Sequence, residues 1–211
     1  MLRLTVDGPV VIFGGTFDPP TTAHAVLPAL AAEAIGASQL RYIPASISPH
    51  KMGTPPTSPA HRLAMLRMIL PSGAEIDTRE IDRGGTSFMI ETLESIRAEI
   101  PSSRSLRLLV GTDHVSSFHR WHRWRDIINL APPAVMIRDH DEVESVLEGV
   151  QESQGDELVE VWRAGLLDLP RMPQASTKVR LCVGQGQNVD ADIVPQVAAY
   201  IAEHQLYGVP T

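Results

Sequence analysis

Two stretches far apart in this chain gather side chains that could handle phosphate. The first is Gly14-Gly-Thr-Phe-Asp-Pro-Pro-Thr-Thr-Ala-His24, which follows the apolar run Val10–Phe13. A glycine pair leaving a buried strand lets the backbone approach a ligand closely. Its amides, with the N-terminus of a following helix, offer donors and partial positive charge to phosphate. His24 falls in the first turn of that helix, where an imidazole can donate to a phosphate oxygen or act as a general acid or base. The second stretch is Gln174-Ala-Ser-Thr-Lys-Val-Arg180. With Ser176 as the cap of a helix, Ser176, Thr177 and Arg180 would present hydroxyls, backbone amides and a guanidinium fork to phosphate oxygens. Taken singly, each stretch also fits a bland reading: a strand-to-helix turn with an incidental histidine, and an ordinary capped surface helix. The glycine spacing matches neither G-x-G-x-x-G nor the P-loop. A third group, Asp113, His114, His119 and His122, could suggest zinc. Its H-x₂-H spacing beside three arginines and two tryptophans is not a zinc pattern, and no metal site is expected from it.

The elements that must hold these residues alternate. Val10–Phe13, 39–43, 74–77, 106–110 and 134–137 read as strands, and a short strand is expected near 158–161. Helices are predicted over 22–35 (closed by Gly36, with Pro28 a candidate bend), from Ser58-Pro59 with the stripe Leu63, Leu66 and Leu70, and from a cap at Thr86 or Ser87 with Ile90, Leu93, Ile96 and Ile100. Further helices are predicted over 142–151, after Ser176, and over 191–204. Residues 44–59 hold five prolines and read as a long loop. This order predicts an α/β class, a doubly wound parallel sheet with helices on both faces. Ligands bind beyond the carboxyl ends of such strands, which here means Gly14-Gly15, Pro44 onward and Gly111.

Composition limits the function. The 211 residues make one domain, and the 43% hydrophobic and 20% charged content is that of a globular protein. The longest apolar stretch, Ala25–Ala32, is eight residues, whereas a membrane span needs ~20, and the first residues offer no secretory signal. Cys182 is the only cysteine, so no internal disulfide forms. A cytoplasmic address is expected, with no membrane partner. The net charge of −7 argues against a nucleic-acid surface. Nine acidic residues and no Lys or Arg lie between Asp139 and Glu160, and the remainder of the chain carries +2. That segment reads as a solvated helix face.

The first stretch resembles the G-x-F-D-P-x-[HT]-x-G-H signature of the nucleotidyltransferase superfamily, with Thr21 and His24 at its matching positions and Ala23 where the family usually has Gly. The second resembles the I-S-S-T-x-x-R signature of the same superfamily, about 150 residues later. Pro44-Ala-Ser-Ile-Ser-Pro-His-Lys51, Glu80-Ile-Asp-Arg-Gly-Gly-Thr-Ser-Phe-Met-Ile-Glu-Thr-Leu93, Gly111-Thr-Asp113 with Trp121, and the C-terminal Val194-Pro195, Val197, Tyr200-Ile201 and Leu206-Tyr207 resemble segments of bacterial nicotinate-nucleotide adenylyltransferases. Only about 139–170 is unmatched, so the chain reads as one Rossmann-like nucleotidyltransferase domain over 1–211 with an acidic variable insertion there.

The resemblance implies adenylyl transfer from ATP, with Mg²⁺, to a pyridine mononucleotide, without a covalent enzyme intermediate. It implies catalytic roles for His24, Lys51 and Arg180. Gly14, Gly15, Thr16, Phe17, Thr21, His24, Gly111, Asp113, Ser176, Thr177 and Arg180 would bind ATP, Asp113 through its ribose. Lys51, Thr86, Ser87, Phe88 and Trp121 would bind the second substrate. The magnesium would be held by phosphates and water rather than by a carboxylate cluster. Lys51 and Lys178 are the only lysines, and their places suggest phosphate contact; Asp18 would brace its own loop. Ser48, Phe88 and Met89 depart from the family pattern, the last two by losing hydroxyls at the substrate segment. Alternatives are pantetheine-phosphate adenylyltransferase or a cytidylyltransferase, which use the same two motifs, and a nucleotide-binding sensor without catalysis. The oligomeric state is open, with a homo-oligomer among the options.

Overall fold

The structure is a computed structural model that describes residues 2–49, 55–138 and 141–208. Six strands, β1 (Val10–Gly15), β2 (Gln39–Pro44), β3 (Glu75–Ile76), β4 (Leu106–Gly111), β5 (Pro133–Met136) and β6 (Leu166–Leu167), form one sheet in the order β3-β2-β1-β4-β5-β6. Every pairing is parallel. The order reverses between β1 and β4, and there the strands part. Val10–Phe13 of β1 pairs with Leu106–Leu109, whereas Gly14 and Gly15 pair only with Ile43 and Pro44 of β2. A crevice opens beyond their carboxyl ends, where doubly wound sheets bind ligands.

Alternation along the strands splits the core in two. Val11 and Phe13 face a layer built from α1 (Thr22–Ile35), α2 (Pro59–Ile69), α9 (Ser176–Gly184) and α10 (Pro195–Glu203), with Leu27, Ala31, Leu66, Val179 and Val197 at its centre. Val10 and Ile12 face the other layer, built from α4 (Met89–Glu99), α6 (Trp124–Leu130), α7 (Val143–Gln154) and α8 (Asp156–Gly165), with Leu93, Ile127, Leu147 and Trp162. Two short helices, α3 (Arg79–Arg83) and α5 (Thr112–Val115), lie at the strand ends. Helix α1 runs through a buried Pro28 and ends at Gly36, whose φ of +66° is the left-handed conformation that glycine adopts at low cost.

Several expectations need correcting. Residues 158–161 are not a strand but the middle of α8. Their β-branched character is overridden because Trp162, one turn on, is buried against Phe118, and β6 follows at 166–167 instead. The buried stripe of α2 keeps the expected Leu66 but adds Arg62, Met65 and Ile69 in place of Leu63 and Leu70. Phe88, not Thr86 or Ser87, precedes α4, and Ala175, not Ser176, precedes α9. The last helix begins at Pro195 rather than near 191. The acidic side chains of α7 and α8 point outward, those of Glu144 and Glu160 being 71% and 81% exposed, while Leu147, Val150 and Gln154 are buried beneath.

Candidate active site

One cleft of about 850 Å³ occupies the crevice at the ends of β1 and β4. Its floor is the glycine turn. A Cβ on Gly14 would lie 2.6 Å from Cε of Met89, so the flexible end of that side chain, which covers the end of β1, would have to shift. Phe17 takes a left-handed φ of 52° and buries its ring against Phe13, His24 and Tyr42. The Asp18–Pro19 peptide is cis.

His24 stands at the third position of α1, where a capping box carries Glu or Gln. Its Nδ1 lies 3.0 Å from the Thr21 amide nitrogen and 2.7 Å from Thr21 Oγ1. A backbone N–H can only donate, so Nδ1 accepts, and in the neutral ring the proton sits on Nε2. Tyr42 donates its hydroxyl to the His24 carbonyl at 2.8 Å. Thr21, expected to bind ATP, is fully buried and does not line the cleft; it touches a lining residue through this histidine. Ala23, in place of glycine, puts its methyl in the cleft wall and leaves α1 regular.

The second stretch is stitched to the first. Ser176 Oγ donates to the Pro19 carbonyl at 2.8 Å, and Arg180 Nη1 donates to the Asp18 carbonyl at 2.6 Å, while Nη2 donates to Thr177 Oγ1 at 3.3 Å. Gly14, Gly15, Thr16, Phe17, His24, Ser176, Thr177 and Arg180 therefore line the same cleft. Lys178 does not join them. It pairs with Asp192 at 3.1 Å, and the Asp192 carbonyl accepts the Thr22 amide at the start of α1. Lys51 lies outside the described residues. Asp18 does more than brace its own loop: its carboxylate accepts from the Thr57 amide (3.2 Å) and from the Tyr207 hydroxyl (2.6 Å). Burial, and then that carboxylate, push the Tyr207 hydroxyl well above the usual tyrosine range, so it stays a donor.

At the end of β4, a Cβ on Gly111 would fall 2.3 Å from the Asp113 carboxylate, which explains the glycine. Burial alone would raise the Asp113 pKa, but the charges of His114 and Arg138 and the hydrogen bonds from Arg138 bring it below the usual carboxylate range. Asp113 is thus an ionised acceptor at the cleft edge. His119 Nδ1 faces the Ser116 carbonyl, and the His122 ring lies against Phe88, so the sequence cluster of histidines does not converge. Among the described residues no group of three or more His, Cys, Asp or Glu could hold a metal ion.

The far end of the cleft is aromatic. Phe88 lies 4.9 Å from the His122 ring, and Trp121 stacks on Phe118 at 4.7 Å and meets His114 edge-on. Ser87 is not a helix cap; it is buried and accepts the Ser46 amide at 2.9 Å. Thr86 bridges to Ile47 and is not among the lining residues, so its role is to hold the loop after β2.

The cytidylyltransferase-like family profile matches residues 12–181. The chain is 37% identical over 198 residues to the probable nicotinate-nucleotide adenylyltransferase of Gemmatimonas aurantiaca, covering 93% of this chain and 90% of that one. It is 33% identical over 213 residues to the corresponding protein of Saccharophagus degradans, covering 94% and 96%. The chain belongs to the nicotinate-nucleotide adenylyltransferase family. A solved structure of the Plasmodium falciparum nicotinic acid mononucleotide adenylyltransferase, complexed with NaAD, has the same fold (TM-score 0.75, 16% identity, 95% and 97% of the two chains).

The family motifs account for most of the cleft, but the sequence reading gave no substrate-binding role to several polar residues that line or support it. Tyr207, Arg138 and His122 line it, and Arg62 lies behind it. A signal existed for Arg62. Met65, Leu66 and Ile69 share its helical face at spacings of three, four and seven, which marks a charge on an apolar stripe.

Proposed function

We propose that this member of the nicotinate-nucleotide adenylyltransferase family transfers the adenylyl group of MgATP to nicotinate mononucleotide. An oxygen of the mononucleotide 5′-phosphate forms a bond to the α-phosphorus, the bond from that phosphorus to the bridging oxygen breaks, and pyrophosphate leaves with the electron pair. The observation that carries this reading is that His24 and Arg180, 156 residues apart, line one cleft and are held by backbone bonds to a single turn. The catalysis rests on positioning and on charge stabilisation. Nε2 of His24 donates to phosphate oxygens as negative charge grows on the leaving group. Arg180, the Thr177 hydroxyl and the backbone amides at the start of α9 hold the triphosphate, and the family resemblance gives Lys51 a share in that task. Asp113 accepts from the ribose hydroxyls. Phe88 and Trp121 flank the pyridine ring. Magnesium bound to ATP would add positive charge to the triphosphate alongside Arg180, with no carboxylate cluster of this chain needed to hold it. Cys182 has no part in the transfer, and a cytoplasmic address suits a reaction between two soluble nucleotides.

The test is pyrophosphate release from ATP with nicotinate mononucleotide and its amide compared side by side. Turnover is expected with the acid. ATP binding in calorimetry with no pyrophosphate from either mononucleotide would overturn the reading and leave a nucleotide sensor. Release only with 4′-phosphopantetheine or with CTP would move the chain to a neighbouring branch of the superfamily.

A further inference from the structure

Arg62 is fully buried on α2, within a stripe otherwise made of Met65, Leu66 and Ile69. Among the described residues it has no ion pair within 4 Å. Its guanidinium instead donates to three backbone carbonyls: Nε to Thr57 (2.9 Å), Nη1 to Thr16 (2.8 Å) and Nη2 to Ser46 (3.4 Å). Burial lowers the pKa of the group, and the nearby Asp18 carboxylate counters that. A buried charge is costly, and an apolar side chain of similar volume often serves packing as well or better. A methionine here could fill the space. It could not hold three separate segments in fixed relation.

Those segments are the ones that shape the cleft. Thr16 belongs to the glycine turn. Ser46 follows β2, and its amide is bound by Ser87 of the segment before α4. Thr57 precedes α2, and its amide is bound by Asp18. We infer that Arg62 is a positioning residue for adenylyl transfer, its buried guanidinium fixing the glycine turn against the loop after β2. The Thr16 contact has a specific consequence. A trans peptide is planar, with its C=O and N–H pointing in opposite directions. Holding the Thr16 carbonyl toward Arg62 therefore turns the Phe17 N–H away from it, on the side of the peptide opposite the buried guanidinium. Phe17 is left-handed, a conformation that a bulky residue keeps only when its surroundings over-determine it. The Arg62 bond and the packing of the Phe17 ring supply that constraint from two directions.

The inference rests on the adenylyl-transfer reading. Its test compares Arg62→Lys, Arg62→Met and, as a control on the exposed face of the same helix, Arg67→Lys, in the full chain. Turnover and KM for both substrates are measured per folded molecule, with circular dichroism and thermal melting alongside. A misplacement of about 1 Å at a reacting centre costs on the order of 100-fold in rate. Arg62→Lys keeps the charge but cannot fork to three carbonyls. It is expected to fold and to lose turnover by about that factor, with the ATP KM changed less than about three-fold. Arg67→Lys should match the parent. An Arg62→Lys protein that melts earlier but turns over within about three-fold of the parent would make Arg62 a structural residue only and overturn the inference, as would failure of both Arg62 variants to fold. A parent without pyrophosphate release fails the adenylyl-transfer reading, whereas normal parent turnover with unaltered Arg62→Lys turnover fails only this one.

Discussion

At the residue scale, the imidazole of residue 24 shows how one side chain serves both helix and site. Nδ1 is engaged by the Thr21 amide, so the ring is oriented and its proton is placed on Nε2 before any ligand arrives. That preorganisation is what a donor to developing charge needs. His24→Ala is expected to reduce turnover by about 10²–10⁴-fold, the usual range for a lost proton donor at a reacting centre, with a much smaller change in ATP affinity. Steady-state pyrophosphate release and calorimetry with ATP check both parts, and turnover within a few-fold of the parent refutes the assignment. The place of this residue beside the cleft was legible because it depends only on a first helical turn after a glycine turn. The roles of Lys178 and Arg62 were not. One turn of helix register decides whether a cation faces solvent, a carboxylate such as Asp192 or the core, and spacing between motifs does not fix that register.

At the element scale, the helices α7 and α8 show a region only half legible: the helix over 142–151 was read, whereas α8 was taken in part for a strand. Trp162 Nε1 donates to Gln154 Oε1 at 2.9 Å, and Gln154 Nε2 donates to the Val115 carbonyl at 2.7 Å, all within the core. This pair joins α7 to α8 and both to α5 below the cleft. Gln154→Leu leaves an indole N–H and a carbonyl without their partner. It is expected to cost roughly 1–3 kcal/mol, which lowers the melting temperature by roughly 2–12 °C for a chain of this size. A melting temperature unchanged from the parent would show that the glutamine contributes nothing. The strands near 10, 39 and 106 were readable from short runs ending in glycine or proline, and the one near 134 from its apolar run alone. The segment at 158–161 was not, because alternating Val and Glu suits a strand until Trp162 finds Phe118.

At the scale of the whole molecule, ion pairs tie the β2–β3 edge to α4. Arg79 donates to Asp77 (2.7 Å) and to Glu99 (2.9 Å), and Arg41 lies 3.6–3.7 Å from both carboxylates. Burial works to raise the Asp77 pKa, but the hydrogen bonds and charge of Arg79, with Arg41, hold it below the ordinary range. Glu99 is lowered chiefly by its hydrogen bond to Arg79, yet its side chain is half exposed, which weakens its share. A carboxyl depressed in the folded state adds stability above its unfolded value, roughly pH 4, and loses it as pH falls through the folded value. Melting temperature should therefore fall as pH is lowered from about 5 to about 3. Asp77→Asn should lower it at neutral pH and flatten that acid slope. A variant slope parallel to the parent's would remove Asp77 from the acid response.

The sequence by itself determined the chemistry available and its order: a glycine turn with a histidine, a serine-threonine-arginine stretch, and alternating strands and helices that require a parallel sheet. These follow from backbone stereochemistry and side-chain type, which act over a few residues. Only the tertiary structure decided which groups meet. It brought Pro19 to Ser176, Asp18 to Tyr207 and Arg180, and Thr16, Ser46 and Thr57 to one buried guanidinium. Those meetings depend on helix register and on the packing of segments up to 189 residues apart, which no local pattern encodes.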